Sequence, residues 1–175
     1  AARGHHGPHA VAARLALAKS YPYSAPDESY LFRDGAVRPI EEAVFRGRTP
    51  VIGHGSNRSP EQLARKFGHL SGKHSEIPVT FVWLQDYDVV YSAHIAGYGA
   101  VTSTLQAAPG CCVRVAINWL DDAQLDRMHE TEGNYAFGRL RGVRAEVEAG
   151  PRDLHDRITM YLSQHGCLSD AGSPL

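Results

Sequence analysis

The chain has 175 residues, of which 43% are hydrophobic and 21% charged, with a formal net charge of −1. This composition predicts one globular domain with a substantial core rather than a disordered chain. The near-neutral charge gives no electrostatic reason to expect nucleic acid or an anionic membrane as a partner. No apolar run approaches the roughly 20 residues that a membrane-spanning helix needs.

Cysteine and histidine content indicates the compartment and argues against a metal site. The three cysteines are Cys111, Cys112 and Cys167. An odd number of cysteines, two of them adjacent, predicts free thiols in a reducing compartment and therefore a cytoplasmic protein. His5, His6 and His9 lie in a Gly/Pro-rich tail that is predicted to be solvated. Nothing there fixes ligand geometry, so no metal is expected.

Residues 1–48 are predicted to form an N-terminal helix and an irregular aromatic arm packed on the body of the protein. Helix-favouring residues run from 9 to 19, with one apolar stripe formed by Val11, Leu15 and Ala18. Residues 30–32 predict a short strand before an Asp34-Gly35 turn. Three roles for the arm stay open: packing, which the sequence favours, a lid over a pocket, or contact with a second subunit in a homodimer.

The body, residues 49–175, begins with a short apolar strand, a Gly-His-Gly-Ser-Asn turn at residues 53–57 and a helix over residues 60–67. Gly53 and Gly55 are expected to adopt backbone angles that a Cβ would forbid. Ser59 is predicted to cap the helix, with Pro60 at its first position. Backbone N–H groups in such a turn suit a carboxylate, a phosphate or an oxyanion. The alternative is a loop without a function.

The rest of the body reads mostly as strands. They are predicted at residues 78–84, 88–93, 100–106, 111–120, 143–147 and 157–162, with turns near Asp86 or Tyr87 and at Pro109-Gly110. From residue 111 to residue 120 apolar residues alternate between two faces. A second helix begins at Asp121, where Gln124 completes a pattern that resembles a capping box. Strands separated by turns favour an α+β fold with a small, mostly antiparallel β-barrel or curled sheet over a doubly wound parallel sheet.

Glu132 follows this second helix and is the second candidate for chemistry. A carboxylate at a helix C-terminus meets the negative end of the helix dipole, which disfavours its ionisation. If the side chain also enters an apolar cavity, loss of solvation acts in the same direction. Such a group can take and return a proton near neutral pH. The alternative is that Glu130 and Glu132 simply face water.

Two other chemistries are weaker interpretations of the same residues. His54 beside Ser56 suggests a serine hydrolase, but the Gly-x-Ser-x-Gly pattern is absent and no Asp is placed to orient the histidine. His129 and Glu132 with a further histidine suggest zinc, but the HExxH pattern is absent.

The two motifs, in this order, resemble the gamma-glutamylcyclotransferase-like family. The likeness covers about residues 49–162. The residues that carry it are Gly55-Ser56-Asn57 and residues 59–63, Tyr87 to Tyr91, Pro109-Gly110 before residues 113–120, Leu125-Asp126, Thr131-Glu132-Gly133 and Tyr161. Two departures are visible: the family commonly has Tyr where this chain has His54, and residues 1–48 have no counterpart in the minimal domain.

The resemblance implies a small, mostly antiparallel β-barrel with flanking helices and a cavity at one end. It implies that Gly55, Ser56 and Asn57 hold the amino-acid head of the substrate and that Glu132 is the acid and base. His54, Tyr135 and Tyr161 are the further candidates for substrate binding. The family tyrosine after the catalytic Glu usually lies further along than Tyr135.

The activity implied by the resemblance is cleavage of a small-molecule γ-glutamyl amide. The α-amine attacks its own γ-carbonyl, and the products are 5-oxoproline and a free amine or amino acid, with no metal or nucleotide as cofactor. Two alternatives stay open. One is an amide hydrolase or acyl transferase on the same scaffold, with His54 as a base. The other is a non-catalytic module that binds a small acid.

Overall fold

The structure, a computed structural model, describes residues 8–154 and 156–175. Residues 1–7, which include His5 and His6 of the predicted solvated tail, lie outside the described residues. Within the described residues the chain forms three α-helices and ten β-strands, and eight of the strands belong to one sheet.

The helices are α1 (Pro8–Lys19), α2 (Pro60–Phe67) and α3 (Asp122–Thr131). All three were predicted from the sequence. The predicted apolar stripe of α1 is not buried, however: Val11 is 56% exposed and Leu15 is 53% exposed. No helix in the part of the chain that the structure describes is long and apolar enough to cross a membrane.

The N-terminal arm contributes two strands to the main sheet. β1 (Tyr30–Arg33) and β2 (Ala36–Pro39) form a hairpin whose turn residues, Asp34 and Gly35, have φ angles of 50° and 77°. β1 also pairs antiparallel with the long strand that begins at Glu76. Leu31 is fully buried. The predicted strand and turn are therefore present, and the domain boundary at residue 49 stays a prediction.

The main sheet has the order β2-β1-β4-β5-β3-β8-β6, with β7 paired to β4. The remaining strands are β3 (Thr49–Gly53), β4 (Glu76–Ile95), β5 (Val101–Leu120), β6 (Tyr135–Arg139), β7 (Ala145–Val147), β8 (Thr159–Ser163), β9 (Ser169–Asp170) and β10 (Ser173–Pro174). Every neighbouring pair is antiparallel except β3 and β8. The predicted α+β class with a mostly antiparallel sheet is confirmed, and closure into a barrel stays a prediction.

β4 and β5 are each one continuous strand, so the turns predicted within residues 84–88 and at Pro109-Gly110 are wrong. The register shifts where Gln85 opposes Cys112 and Tyr87 opposes Ala107. At this shift Asp86 has a φ of 64°, and Gly110, with a φ of 84°, donates its N–H to Asp86 Oδ1 at 2.9 Å. The two turn-like sequences oppose each other across the hairpin, and the pair forms a β-bulge.

The two faces of the sheet carry two hydrophobic clusters, as the alternation in β5 predicts. Ala116 and Leu120 belong to one cluster, whereas Val115, Ile117 and Trp119 belong to the other. The first cluster also contains Leu63 and Phe67 of α2 and Met128 of α3, all almost fully buried. Burial of each such side chain contributes about 1.5–3 kcal/mol. This packing brings the second half of α2 against the end of α3.

The N-termini of α2 and α3 are held differently. Asp121 Oδ1 accepts the Gln124 N–H at 2.9 Å and Gln124 Oε1 accepts the Asp121 N–H at 3.0 Å, which confirms the capping box of α3. Pro60 occupies the first turn of α2 as predicted. The predicted Ser59 side-chain cap is wrong: the Ser59 hydroxyl makes no capping bond and is buried without a partner.

Candidate active site

A cavity of about 230 Å³ lies where the turn after β3 meets the end of α3. It is lined by every residue that the sequence proposed for the site: His54, Gly55, Ser56, Asn57, Glu132, Tyr135 and Tyr161. Other lining residues are Tyr21, Lys66, His94 and Tyr98. The structure thus brings the seven candidates together, and their individual roles stay predictions.

The turn between β3 and α2 leaves backbone donors unused at the cavity wall. Residues Ser56–Arg58 form one 3-10 turn. Its first hydrogen bonds are donated by Arg58 to Gly55 O and by Ser59 to Ser56 O, at 3.5 and 2.9 Å. The N–H groups of Gly55, Ser56 and Asn57 donate to no acceptor among the described residues. An unpaired cluster of this kind is suited to an anion.

Gly55 is required by a close approach rather than by an unusual φ. Its φ is −124°, so the predicted need for a left-handed conformation is wrong. A Cβ at this position would lie 2.6 Å from Ser103 Oγ and would also overlap the Tyr21 hydroxyl. Gly53 is less restricted, since its Cβ would meet Asn118 Nδ2 at 3.3 Å. The arm and β5 therefore press against this turn.

Glu132 and the turn meet directly. Glu132 occupies the C-cap position of α3, with φ −106° and ψ 38°. Its Oε1 accepts a hydrogen bond from Asn57 Nδ2 at 3.0 Å, although the two residues are 75 positions apart. The Glu132 side chain is only 11% exposed. A carboxylate and a group of unpaired backbone donors therefore share one sheltered cavity.

Lys66 is a residue of the site that the sequence analysis missed. Its Nζ contacts Glu132 Oε1 and also lies 3.4 Å from Met128 Sδ, and its side chain is 10% exposed. Burial lowers the pKa of Lys66, and the charge of Glu132 acts in the opposite direction. A signal was present: Lys66 follows Leu63 by three positions in α2, which places it on the buried stripe of the helix.

His54 is held by both ring nitrogens. Nε2 lies 3.0 Å from Tyr161 O and Nδ1 lies 3.0 Å from Ser103 Oγ. A carbonyl oxygen only accepts, so Nε2 carries the hydrogen and Nδ1 accepts from the Ser103 hydroxyl. Burial lowers the pKa of His54, which favours the neutral ring. His54 makes no hydrogen bond to Ser56 in the described structure, so the serine-hydrolase interpretation gains no support.

Tyr21 connects the N-terminal arm to this network. Its hydroxyl oxygen accepts the Ser103 N–H at 2.9 Å and lies 2.9 Å from Ser103 Oγ. Because the Ser103 hydroxyl donates to His54, the Tyr21 hydroxyl donates to Ser103. Burial is the main cause that raises the pKa of Tyr21. The sequence indicated an arm packed on the body, but it did not identify Tyr21 as part of the cavity wall.

Tyr135 and Tyr161 reach the cavity from β6 and β8. The Tyr135 hydroxyl donates to Ser103 O at 3.0 Å and lies 2.7 Å from Thr102 Oγ1. Burial raises the pKa of Tyr135 to about 12, and burial also raises the pKa of Tyr161. Both hydroxyls are therefore protonated at neutral pH.

The zinc interpretation used His129 and Glu132. His129 Nδ1 instead lies 2.7 Å from the Tyr161 hydroxyl. Among residues 8–154 and 156–175, no three His, Cys, Asp or Glu side chains are grouped closely enough to hold a metal ion. Nothing in this geometry points to His129 as a metal ligand.

A mostly antiparallel sheet, two helices on one face and a cavity between the strand-to-helix turn and a glutamate define a cyclotransferase-like α+β fold. The chain has the fold of a solved structure described as gamma-glutamyl cyclotransferase, with a TM-score of 0.51, 15% identity and 68% of each chain covered. A second similar structure is an uncharacterized protein from Homo sapiens, with a TM-score of 0.50, 15% identity and 69% of each chain covered.

Sequence comparison is silent where structure comparison is not. No family model matches the chain, and no curated protein matches it. At 15% identity the structural likeness shows the fold alone. The resemblance inferred from residues 49–162 is confirmed at that level.

Proposed function

We propose that this protein is a cyclotransferase-like enzyme that cleaves a γ-glutamyl amide and releases 5-oxoproline with an amine or amino acid. The observation that carries the proposal is the Asn57–Glu132 contact, with Nδ2 and Oε1 at 3.0 Å, in a cavity that also contains unpaired backbone donors. The solved gamma-glutamyl cyclotransferase with the same fold supports it.

Binding uses the two chemical halves of the site. The α-carboxylate of the substrate accepts hydrogen bonds from the N–H groups of Gly55, Ser56 and Asn57. The α-ammonium lies against Glu132. A substrate held at this end has its γ-carbonyl folded back toward the α-nitrogen. Bringing nucleophile and carbonyl together in one bound molecule is worth about 7–11 kcal/mol relative to a bimolecular reaction.

Proton transfer then requires one group. Glu132 takes a proton from the α-ammonium, and the free amine attacks the γ-carbon to form a five-membered ring. Glu132 returns the proton to the leaving nitrogen as the carbon–nitrogen bond of the amide breaks. A backbone donor positioned on the developing oxyanion contributes about 2.7–4 kcal/mol. Every proton taken is returned, so the reaction needs no cofactor.

His54, Tyr135 and Tyr161 shape the binding site in this proposal. His54 is neutral and fixed by two hydrogen bonds, so it serves as a rigid wall rather than as a base. The two tyrosines contribute ring surface and protonated hydroxyls to the same cavity. The partner is therefore a small molecule, and we propose that the enzyme acts in the cytoplasm.

The test is product analysis with a matched pair of variants. The protein is incubated with a panel of γ-glutamyl amino acids and γ-glutamyl amines, and 5-oxoproline and free glutamate are measured separately. Glu132→Gln is expected to lower kcat at least about 100-fold, because the acid-base group is lost. The control is Glu130→Gln on the same helix, where the side chain is exposed and paired with Arg127.

Two results contradict the proposal. Turnover that survives Glu132→Gln undiminished removes the acid-base role of Glu132. Glutamate in place of 5-oxoproline means that water is the nucleophile, which makes the protein an amide hydrolase. A panel with no turnover but tight binding of a γ-glutamyl compound indicates a binding module.

A further inference from the structure

We propose that Lys66 is a positioning residue that keeps Glu132 in its charged form and reserves the Oε2 atom for the substrate. This inference rests on the proposed function. The geometry points to it because Lys66 Nζ and Asn57 Nδ2 both approach the same oxygen, Oε1.

The two oxygens of Glu132 have different surroundings. Oε1 receives Lys66 and Asn57. Oε2 receives no hydrogen bond from the described residues, and it is not among the fully buried unpaired atoms. A carboxylate fixed through one oxygen can rotate little, so the other oxygen has a defined direction. Oε2 is therefore the atom that meets the α-ammonium and carries the proton during turnover.

A cation is needed at this position because the rest of the site disfavours negative charge. Glu132 caps the C-terminus of α3, where the dipole is negative, and its side chain is 11% exposed. The titratable groups around the Lys66–Glu132 pair are His54, Tyr21, Tyr135, Tyr161 and Arg127. His54 and the tyrosines are uncharged at neutral pH. Among the pair's titratable neighbours, Lys66 is the cation in contact with the carboxylate.

Burial of Lys66 is itself unexpected for a structural role. The lysine lies among Leu63, Phe67 and Met128, all almost fully buried, where an apolar side chain of similar length fits without a desolvation cost. A buried charge is tolerated only when it is paired and hydrogen-bonded. The pairing with Glu132 meets this condition, and it makes the charge useful to a residue that must begin each cycle as a base.

The first experiment compares pH profiles. Lys66→Met removes the charge while keeping length and apolar character, and Lys66→Gln removes the charge but keeps an N–H donor. In both variants the acidic limb of the kcat/KM profile is expected to move to higher pH by about one to three units, because an opposite charge no longer favours the carboxylate. On that limb each unit is a tenfold loss, whereas the rate at high pH recovers. Lys66→Arg is expected to keep the wild-type limb.

The control is Lys73→Met, the same change at an exposed lysine outside the cavity. A Lys66→Met enzyme that loses the same factor at every pH, with the limb unmoved, shows a purely structural role and overturns the proposal. If Lys66→Met does not fold, Lys66→Gln decides by the same criterion.

The second experiment needs no turnover and separates this inference from the proposed function. Glutamate side-chain carboxyl carbons are labelled with ¹³C, and the Glu132 signal is identified by its absence in Glu132→Gln. Its titration midpoint is expected at higher pH in Lys66→Gln than in the wild type. An unchanged midpoint overturns the role of Lys66 even if 5-oxoproline is formed. A shifted midpoint with no 5-oxoproline from any substrate supports Lys66 while refuting the cyclotransferase.

Discussion

The Tyr21 hydroxyl and Ser103 are joined by two contacts of 2.9 Å, one to the backbone N–H and one to the side-chain oxygen. Tyr21 belongs to the N-terminal arm and Ser103 to β5, and Ser103 continues the chain of hydrogen bonds to His54. The arm is thereby a part of the cavity wall. Of the roles left open for it, contact with the cavity is the one that this pair supports.

Tyr21→Phe is expected to destabilise the protein and to weaken substrate binding. The change leaves the Ser103 N–H without its acceptor, which costs about 1–3 kcal/mol for a buried donor. Denaturant unfolding gives the loss of stability, and KM for the best γ-glutamyl substrate gives the effect on the site. Tyr91→Phe is the control, because Tyr91 is 54% exposed. Equal values for both variants contradict a structural role for the Tyr21 hydroxyl.

Gly55→Ala is expected to destabilise the turn by about 1–3 kcal/mol, because its Cβ overlaps the Tyr21 hydroxyl and approaches Ser103 Oγ to 2.6 Å. Gly138→Ala serves as control, since nothing lies within 4 Å of a Cβ there. Unfolding free energies of the single variants and of Gly55→Ala combined with Tyr21→Phe form a double-mutant cycle. The cost of Gly55→Ala should be smaller in the Tyr21→Phe background, and strict additivity would argue against the contact.

The stability of the protein is expected to fall at mildly acidic pH in part because of His54. Burial lowers the pKa of His54 in the folded state from its ordinary 6.5. Below that value the unfolded chain binds a proton that the folded chain resists, so the free energy of unfolding decreases as pH falls. His54→Gln, which cannot titrate, should give a flatter dependence between pH 7 and pH 5. Exposed His69→Gln is the control, and an equally steep curve for His54→Gln would contradict the assignment.

Gln124→Met is expected to be among the more damaging single changes. Gln124 is fully buried, and its amide accepts from the Asp121 N–H and Arg48 while donating to the carbonyl oxygens of His74 and Glu76. Loss of the cap and of several buried partners should lower the unfolding free energy by about 2–4 kcal/mol. Exposed Gln85→Met is the matched control in the same thermal or denaturant measurement. A loss as small as that of the control would refute the assigned role.

Local features of the fold were predictable from the sequence. The capping box at Asp121 and the turn at Asp34-Gly35 depend on neighbouring residues alone, and both are present. The division of β4 and β5 into shorter strands was wrong because Asp86 and Gly110 carry the same local signal in a hairpin turn and in a bulge. Only the register between the two strands distinguishes the two cases. That register is a tertiary property.

The candidate site was predictable where a motif existed. The turn at residues 55–57 and Glu132 stand out by resemblance, and the structure places them in contact. Lys66 was missed because a lysine in a helix is normally assigned to solvent, and its partner Glu132 lies 66 positions further on. β6 was missed because its five residues contain Gly138 and carry no buried face.

The parallel pairing of β3 with β8 joins two distant parts of the chain through one register pair, Val51 and Thr159. β8 supplies the carbonyl of Tyr161 that fixes His54, and it holds β6 with Tyr135 in place. A nascent chain that ends before β8 already contains Asn57, Lys66 and Glu132 yet has an unfinished cavity. During synthesis on the ribosome, competence for substrate therefore arises late, when the last strand of the large sheet has docked.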